Sequence, residues 1–293
     1  MDLRQVRTAD GRVLEVSVEG PADGRAFVLH AGTPAGLAER GGIAGPAAER
    51  GLRTISYARP GYAGSTPRPG RTVLDAAGDV RAILEHLGHD RFVTAGWSGG
   101  GPHALACAAA LPGACAAAAT LAGVAPFDAE GLDWLAGMGP QNVEEFAAAV
   151  RGPQDLTRFV QAQRAGLAEV TGGQVAAALG GLIGEVDRAA LTGELAESLA
   201  ASLRHAMSAG VAGWRDDGLA FVRPWGFPVA AVQAPVTVWQ GAQDRMVPFA
   251  HGQWLARSVP GANARLLAQH GHISLLARFG DVLDDLLERA GDW

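Results

Sequence analysis

Short apolar runs alternate with longer amphipathic segments along the first 125 residues. Each run is four residues long, and such short runs between longer helical segments are typical of a parallel sheet. Residues 3–8 and 13–19 come earlier and alternate polar with apolar positions around Asp10-Gly11, a pattern that favours a β-hairpin. We therefore predict an α/β fold that opens with an antiparallel hairpin. The predicted parallel strands lie at 26–29, 54–57 and 92–95.

The clearest predicted helix spans residues 72–87. Apolar residues recur along it at helical spacing, so that they form one stripe. Thr72 and Asp75 resemble a capping box at its start, and Gly88 is a typical helix end. A further strand is predicted at 116–121, because Pro112-Gly113 separates this alanine-rich run from the preceding helix.

Strand signals vanish between residues 126 and 233. Three helical patterns follow one another there between glycine breaks, at 142–150, 155–170 and 194–206. The alternation of strands and helices then resumes, with predicted strands at 236–239 and 264–268 and predicted helices at 250–257 and 274–288. We predict one core made of residues 1–125 and 234–293, with residues 126–233 inserted as a helical lid.

The composition predicts a globular protein without a membrane span. Hydrophobic residues make up 48% and charged residues 18%, and no 18-residue apolar run is free of Gly, Pro or charge. The N-terminal residues lack the pattern of an export signal. Cys107 and Cys115 lie in apolar surroundings typical of reduced, buried thiols. We therefore expect a cytoplasmic location and no membrane partner.

The charges exclude several chemistries. The formal net charge of −6 is spread along the chain, which argues against a nucleic-acid partner. All 24 basic residues are arginine. Without lysine, the chain has neither a Schiff-base lysine nor the lysine of a phosphate-binding loop.

A Gly-x-Ser-x-Gly motif, Gly96-Trp97-Ser98-Gly99-Gly100, lies between a predicted strand and a predicted helix. A serine on such a sharp turn has a strained backbone and an exposed hydroxyl, and small neighbours let the strand and helix approach closely. Ser98 would also lie at the positive end of the helix dipole. A plain glycine-rich turn or a phosphate-binding turn is the alternative, since the chain has 41 glycines.

With this motif in place, the sequence resembles the α/β-hydrolase superfamily, in its serine-nucleophile, lid-bearing esterase and haloperoxidase-like branch. The resemblance covers both core segments in order and spacing. It implies a mostly parallel central sheet with helices on both faces, an inserted helical lid and no cofactor or metal. Its further segments are His30-Ala31-Gly32-Thr33-Pro34, Arg59 to Ser65, Gly241-Ala242-Gln243-Asp244 and His270-Gly271-His272.

The family pattern implies Ser98 as nucleophile, His272 as general base and Asp244 as the acid that orients the imidazole. His270 is an alternative base, or a metal ligand together with His272. Asp128 is an alternative acid, because some members place the acid after the preceding strand.

The resemblance also implies an oxyanion hole formed by the backbone N–H groups of Thr33 and Gly99. The histidine that the family has in the first loop is Ala31 here or has shifted to His30, which leaves the register of the loop open. Arg59 receives no chemical role, because a rigid Pro-Gly turn explains its segment equally well.

We therefore predict a hydrolase that cleaves a small-molecule carboxylic ester through an acyl-enzyme. Aminopeptidase or iminopeptidase, thioesterase, perhydrolase and carbon–carbon bond hydrolase activities use the same triad and stay open. A hydrolase-like protein that only binds a small molecule is the alternative from another class. The sequence also leaves a homodimer open.

Overall fold

The computed structural model describes residues 1–38 and 41–293, which contain one eight-stranded sheet. The strands are β1 Asp2–Arg7, β2 Val13–Glu19, β3 Arg25–His30, β4 Leu52–Tyr57, β5 Phe92–Trp97, β6 Cys115–Leu121, β7 Val236–Gly241 and β8 Asn263–Leu267. Their order in the sheet is β1-β2-β4-β3-β5-β6-β7-β8. β1 pairs antiparallel with β2, and β2 with β4, whereas all later pairs are parallel. The predicted opening hairpin and parallel sheet are confirmed.

The central strands are buried along almost their whole length, because helices cover both faces of the sheet. Along β3, Val28 belongs to one core cluster, whereas Phe27 and Leu29 belong to another, as the two-residue period of a strand requires. The first cluster includes residues of α2 (Asp75–Leu87), α3 (Gly100–Ala110) and α10 (Phe249–Ser258). The second includes residues of α1 (Gly41–Glu49) and α11 (Phe279–Ala290). This is the α/β-hydrolase arrangement that the resemblance implied.

The segment between β6 and β7 is helical and contains no strand; we call residues 126–233 the insertion. None of the helices within residues 1–38 and 41–293 has the length and apolar character needed to cross a membrane. Cys107 and Cys115 are free and buried. The helices of the insertion are α4 Pro140–Arg151, α5 Pro153–Ala168, α6 Gly172–Leu179, α7 Glu185–Ala190, α8 Gly193–Met207 and α9 Ala212–Phe221.

The predicted helix at 72–87 begins later than expected. Its α-helical part starts at Asp75, because the preceding turn is closed by tighter i→i−3 hydrogen bonds, from Ala76 N–H to Val73 O (3.3 Å) and from Ala77 N–H to Leu74 O (3.0 Å). The Asp75 carboxylate nevertheless accepts from Thr72 N–H at 2.7 Å, and Gly88 ends the helix with a positive φ of 75°. The predicted last helix is also divided, since 274–278 form a 3-10 turn before α11.

Glu145, on α4, is a buried acid that should make stability depend on pH. Burial raises its pKa to about 7, although Trp214 Nε1 donates to its carboxylate (2.7 Å). The native state therefore holds a proton that the unfolded chain loses at lower pH. The free energy of unfolding should fall by up to about 3 kcal/mol as the pH rises from 5 to 8. Glu145→Gln should remove this part of the dependence of unfolding free energy on pH, as measured by urea titrations at several pH values.

The exposed neighbour Glu144 provides the matched control, because it lies on the same helix without being buried. Glu144→Gln should retain the wild-type dependence of unfolding free energy on pH. Equal slopes for wild type and the Glu145 variant would contradict the prediction.

Candidate active site

The predicted site residues all follow the carboxyl ends of parallel strands. Thr33 follows β3, Ser98 follows β5, Asp244 follows β7 and His272 follows β8. Since these ends lie along one edge of the sheet, the loops that carry the residues converge there. The topology thus places residues distant in sequence at one edge.

Ser98 lies on the sharp turn that the motif predicts. Its φ is +56°, in the left-handed region that non-glycine residues rarely adopt, and its N–H donates to Leu121 O on β6 (2.8 Å). The close approach of β5 and α3 depends on Gly96, because a Cβ there would lie 2.7 Å from Gly101 N. This geometry places the serine at the N-terminal end of α3.

His272 and Asp244 form a buried pair. His272 Nδ1 donates to Asp244 Oδ2 at 2.8 Å, and the side chains are 1% and 0% exposed. The carboxylate is itself fixed, since Asp244 Oδ1 accepts from the N–H groups of Met246 and Val247 at 2.8 Å each. This hydrogen bond fixes the orientation and tautomer of the imidazole, so that Nε2 is the nitrogen that can accept a proton.

The two alternative residues lie elsewhere. His270 Nδ1 is 3.2 Å from Ser274 O and makes no recorded contact with Asp244 in the part of the chain that the structure describes. Asp128 lies exposed in the loop after β6. Of the two candidate acids, Asp244 is the one that the structure pairs with a histidine.

Ser98 and His272 line a common cavity of about 80 Å³, which we call the reaction cavity, together with Thr33 and Met246. Within residues 1–38 and 41–293, neither Ser98 Oγ nor His272 Nε2 has a recorded hydrogen-bond partner. The two groups are thus neighbours across a cavity rather than a hydrogen-bonded pair. Such contacts are often long in active sites without substrate.

Asp187, on α7 of the insertion, holds the loop that carries the histidine. Its fully buried carboxylate accepts from His272 N–H (3.0 Å) and from the N–H groups of Ile273 and Ser274 (2.9 Å each). Three charge-assisted hydrogen bonds fix the backbone around the imidazole. Sequence reasoning missed Asp187, because one aspartate in a helical stretch has no motif.

The two predicted oxyanion residues are adjacent. Thr33 lines the reaction cavity, and a Cβ on Gly99 would lie 2.9 Å from Thr33 Cβ and 3.0 Å from Phe221 Cζ. Gly99 is therefore packed too closely for a larger residue. Neither backbone N–H donates to an acceptor recorded among the described residues, which leaves both donors available to a ligand.

A buried ion cluster lies beneath the loop after β3; we call Arg59, Arg71 and Asp217 the Arg59 cluster. Arg59 Nη2 lies 2.6 Å from Asp217 Oδ2, and Arg71 Nη2 lies 2.7 Å from Asp217 Oδ1. Thr33 Oγ1 and Tyr62 OH also donate to Asp217 Oδ2, at 2.8 and 2.9 Å. Asp217 belongs to α9, so the insertion holds this core loop as well.

The Arg59 cluster keeps Asp217 ionised. Burial alone would raise the pKa of this carboxyl, but the guanidinium groups of Arg59 and Arg71 hold it well below its ordinary value. Burial and the nearby Arg59 lower the pKa of His103 to about 3, so its imidazole stays neutral.

A second cavity of about 480 Å³ adjoins the reaction cavity; we call it the large cavity. The two share three lining residues, Trp97, Leu199 and Ile273. Trp97 is fixed there, because its Nε1 donates to His272 O at 3.1 Å and its ring lies 5.2 Å from the imidazole. The remaining lining is mostly apolar and includes Ile43, Pro46, Leu195, Leu276, Ala277 and Phe279.

Comparison with known proteins agrees with this architecture. A sequence model described as the α/β-hydrolase fold matches residues 25–278. No curated protein matches the sequence.

Solved structures match along nearly the whole chain. An esterase from a Rhodococcus species is 21% identical, with a TM-score of 0.66 and coverage of 99% of this chain and 100% of that one. An α/β-hydrolase fold protein from Nakamurella multipartita is 25% identical, with a TM-score of 0.65 and coverage of 99% and 100%. The enol-lactonase from Burkholderia xenovorans is 20% identical, with a TM-score of 0.65 and coverage of 97% and 100%. These likenesses show the fold.

Proposed function

Because the chain belongs to the α/β-hydrolase family, we propose that it is a serine hydrolase of carboxylic esters that uses Ser98, His272 and Asp244. The observation that carries the proposal is the arrangement of these residues. A strained serine and an imidazole line one cavity, and a buried carboxylate is hydrogen-bonded to the far side of that imidazole.

In the proposed reaction, Ser98 Oγ attacks the ester carbonyl while His272 Nε2 accepts its proton. The Asp244 carboxylate stabilises the imidazolium through Nδ1. The N–H groups of Thr33 and Gly99 bind the oxyanion of the tetrahedral intermediate. His272 then returns the proton to the leaving alcohol, and water, activated by the same imidazole, releases the acid from Ser98.

A fluorophosphonate probe tests the proposal directly. Phosphorus bonds covalently to an activated serine as fluoride leaves, and peptide mass spectrometry locates the modified residue. We expect one label per chain, on Ser98, and hydrolysis of short nitrophenyl esters by the unlabelled protein. Labelling should remove that hydrolysis in proportion to its extent.

The same experiment addresses the alternative of a hydrolase-like binding protein. A protein that only holds a small molecule would neither react at Ser98 nor hydrolyse the esters. That pair of results would overturn the proposed activity while leaving the fold unchanged.

The large cavity supports a preference for esters with a sizeable apolar part. Its volume of about 480 Å³ lies within the range of small-molecule sites, whereas the reaction cavity of about 80 Å³ holds little beyond the reacting group. Since Trp97 lines both cavities, a substrate bound at Ser98 in the reaction cavity would extend past the Trp97 ring into the large cavity. Mainly apolar side chains would receive it.

We expect kcat/KM to rise by up to about fourfold for each added methylene until the large cavity is full, because each buried methylene contributes about 0.8 kcal/mol. Two ester series, one with a fixed alcohol and one with a fixed acyl group, would show which side of the bond enters. Leu195→Trp should fill part of the cavity and reduce kcat/KM about 10-fold for the longest substrates only.

The control for this experiment is Leu3→Trp, which adds the same volume at an exposed position on β1. It should leave the length dependence of kcat/KM as in wild type. A flat dependence in both ester series would show that the large cavity does not receive the substrate.

A further inference from the structure

The backbone of the loop after β3 is held from beneath by one guanidinium. Arg59 Nη1 donates to Ala31 O and Arg59 Nη2 donates to Gly32 O, at 2.7 Å each. Arg59 is only 3% exposed, so these hydrogen bonds lie away from solvent. The two carbonyls that precede Thr33 are therefore fixed by the same side chain.

Fixing the Gly32 carbonyl also fixes the direction of Thr33 N–H. The two groups belong to one planar peptide unit, which is trans, and in a trans unit the C=O and N–H bonds point in opposite directions. With the carbonyl directed at Arg59, the N–H points to the other side of the loop. Ser98 lies close to this loop, since a Cβ on Gly32 would be 3.3 Å from Ser98 Cβ.

The guanidinium also changes the strength of the Thr33 donor. A charged donor on a carbonyl polarises the whole peptide unit, which makes its N–H a better hydrogen-bond donor. Arg59 acts on this peptide unit through its two hydrogen bonds, to Ala31 O and Gly32 O.

We propose that Arg59 is a positioning residue for the oxyanion, and that it aims and polarises Thr33 N–H through the carbonyls of Ala31 and Gly32. Asp217, provided by the insertion, holds the guanidinium in place from the other side. The inference rests on the proposed function, because it concerns the oxyanion formed after attack by Ser98.

The structure offers a matched pair of variants, Arg59→Lys and Arg71→Lys. Both arginines are buried on the same carboxylate, and both substitutions retain the charge. Only Arg59 is bonded to the loop carbonyls, whereas Arg71 Nη2 donates to Gly213 O (3.2 Å) on α9. A lysine cannot reproduce the two-pronged donor geometry of arginine.

The measurements are kcat and KM for a nitrophenyl ester, inhibition by a trifluoromethyl ketone that forms an oxyanion with serine, and melting temperature. For Arg59→Lys we expect kcat to fall about 10- to 100-fold, while KM stays within about threefold of the wild-type value. This loss of kcat is smaller than the loss expected when an entire oxyanion donor is removed. Affinity for the ketone should fall by the same factor as kcat/KM. Arg71→Lys should change both by less than about threefold.

Equal kinetic losses in the two variants, or a loss in KM alone, would show that Arg59 only supports the fold. Wild-type kinetics distinguish the two proposals: absence of wild-type turnover would overturn the serine hydrolase and with it the role of Arg59. If Arg59→Lys does not fold, Arg59→Gln and Arg71→Gln make the same comparison, since an amide can still donate to one carbonyl.

Discussion

Replacement of Ser98 by alanine should lower kcat for a nitrophenyl ester by about 10⁶-fold, the loss typical when a nucleophile of a triad is removed. Removal of the hydroxyl should break no other interaction, because Ser98 Oγ has no recorded hydrogen bond within the described residues. Alanine keeps a Cβ at the strained φ of +56°, so the backbone cost is unchanged. Stability should therefore stay within about 0.5 kcal/mol of wild type in denaturant titrations.

The control is Ser208→Ala, the same substitution at an exposed helix end, where the hydroxyl donates to His205 O. Its kcat should equal that of wild type. A Ser98→Ala protein with more than a few per cent of wild-type kcat would remove the serine mechanism, provided that mass spectrometry excludes residual wild-type enzyme.

Asp244→Asn should lower kcat by about 10⁴-fold while preserving the fold. An asparagine is nearly isosteric and can still accept at one oxygen, but it is neutral and cannot stabilise an imidazolium. Its amide can also donate to His272 Nδ1, which stabilises the wrong tautomer for a general base at Nε2. Initial rates over a range of pH, with melting temperatures for both proteins, would measure this loss.

Asp128→Asn is the matched control, since the same change is made at the exposed acid that the sequence left as an alternative. We expect its kcat to be unchanged. A larger loss for Asp128→Asn than for Asp244→Asn would reassign the orienting acid and contradict the pairing of Asp244 with His272.

The sheet could be predicted from the sequence because its signals are local. Four-residue apolar runs, an Asp-Gly turn and a Gly-x-Ser-x-Gly motif each lie within a few residues of the feature that they predict. The helix at 72–87 shows the limit of such signals. Its first turn has the tighter i→i−3 hydrogen bonds, which the pattern of Thr72 and Asp75 does not predict, so the α-helix begins only at Asp75.

The supporting residues of the site could not be predicted in this way. Asp187 and Asp217 lie within helices and belong to no motif, and their roles depend on contacts 85 and 158 residues distant, to His272 and Arg59. Arg59 lies within a segment that resembles the family, but a rigid Pro-Gly turn explains that segment equally well. The signal for Asp217 is a pair of adjacent acids, Asp216-Asp217, in a segment that also contains Trp214 and Phe221, and such a pattern is common to many structural ion pairs.

The two aspartates of the insertion limit how freely this part of the chain could be exchanged. Grafting helices from another hydrolase onto this core would leave three N–H groups after β8 and two buried guanidinium groups beneath the loop after β3 without an anion, unless the graft supplied both acids at matching positions. Such a chimera would lose activity even with every core residue intact. Engineers who alter substrate range here should therefore redesign the side chains that line the cavities and leave α7 and α9 in place.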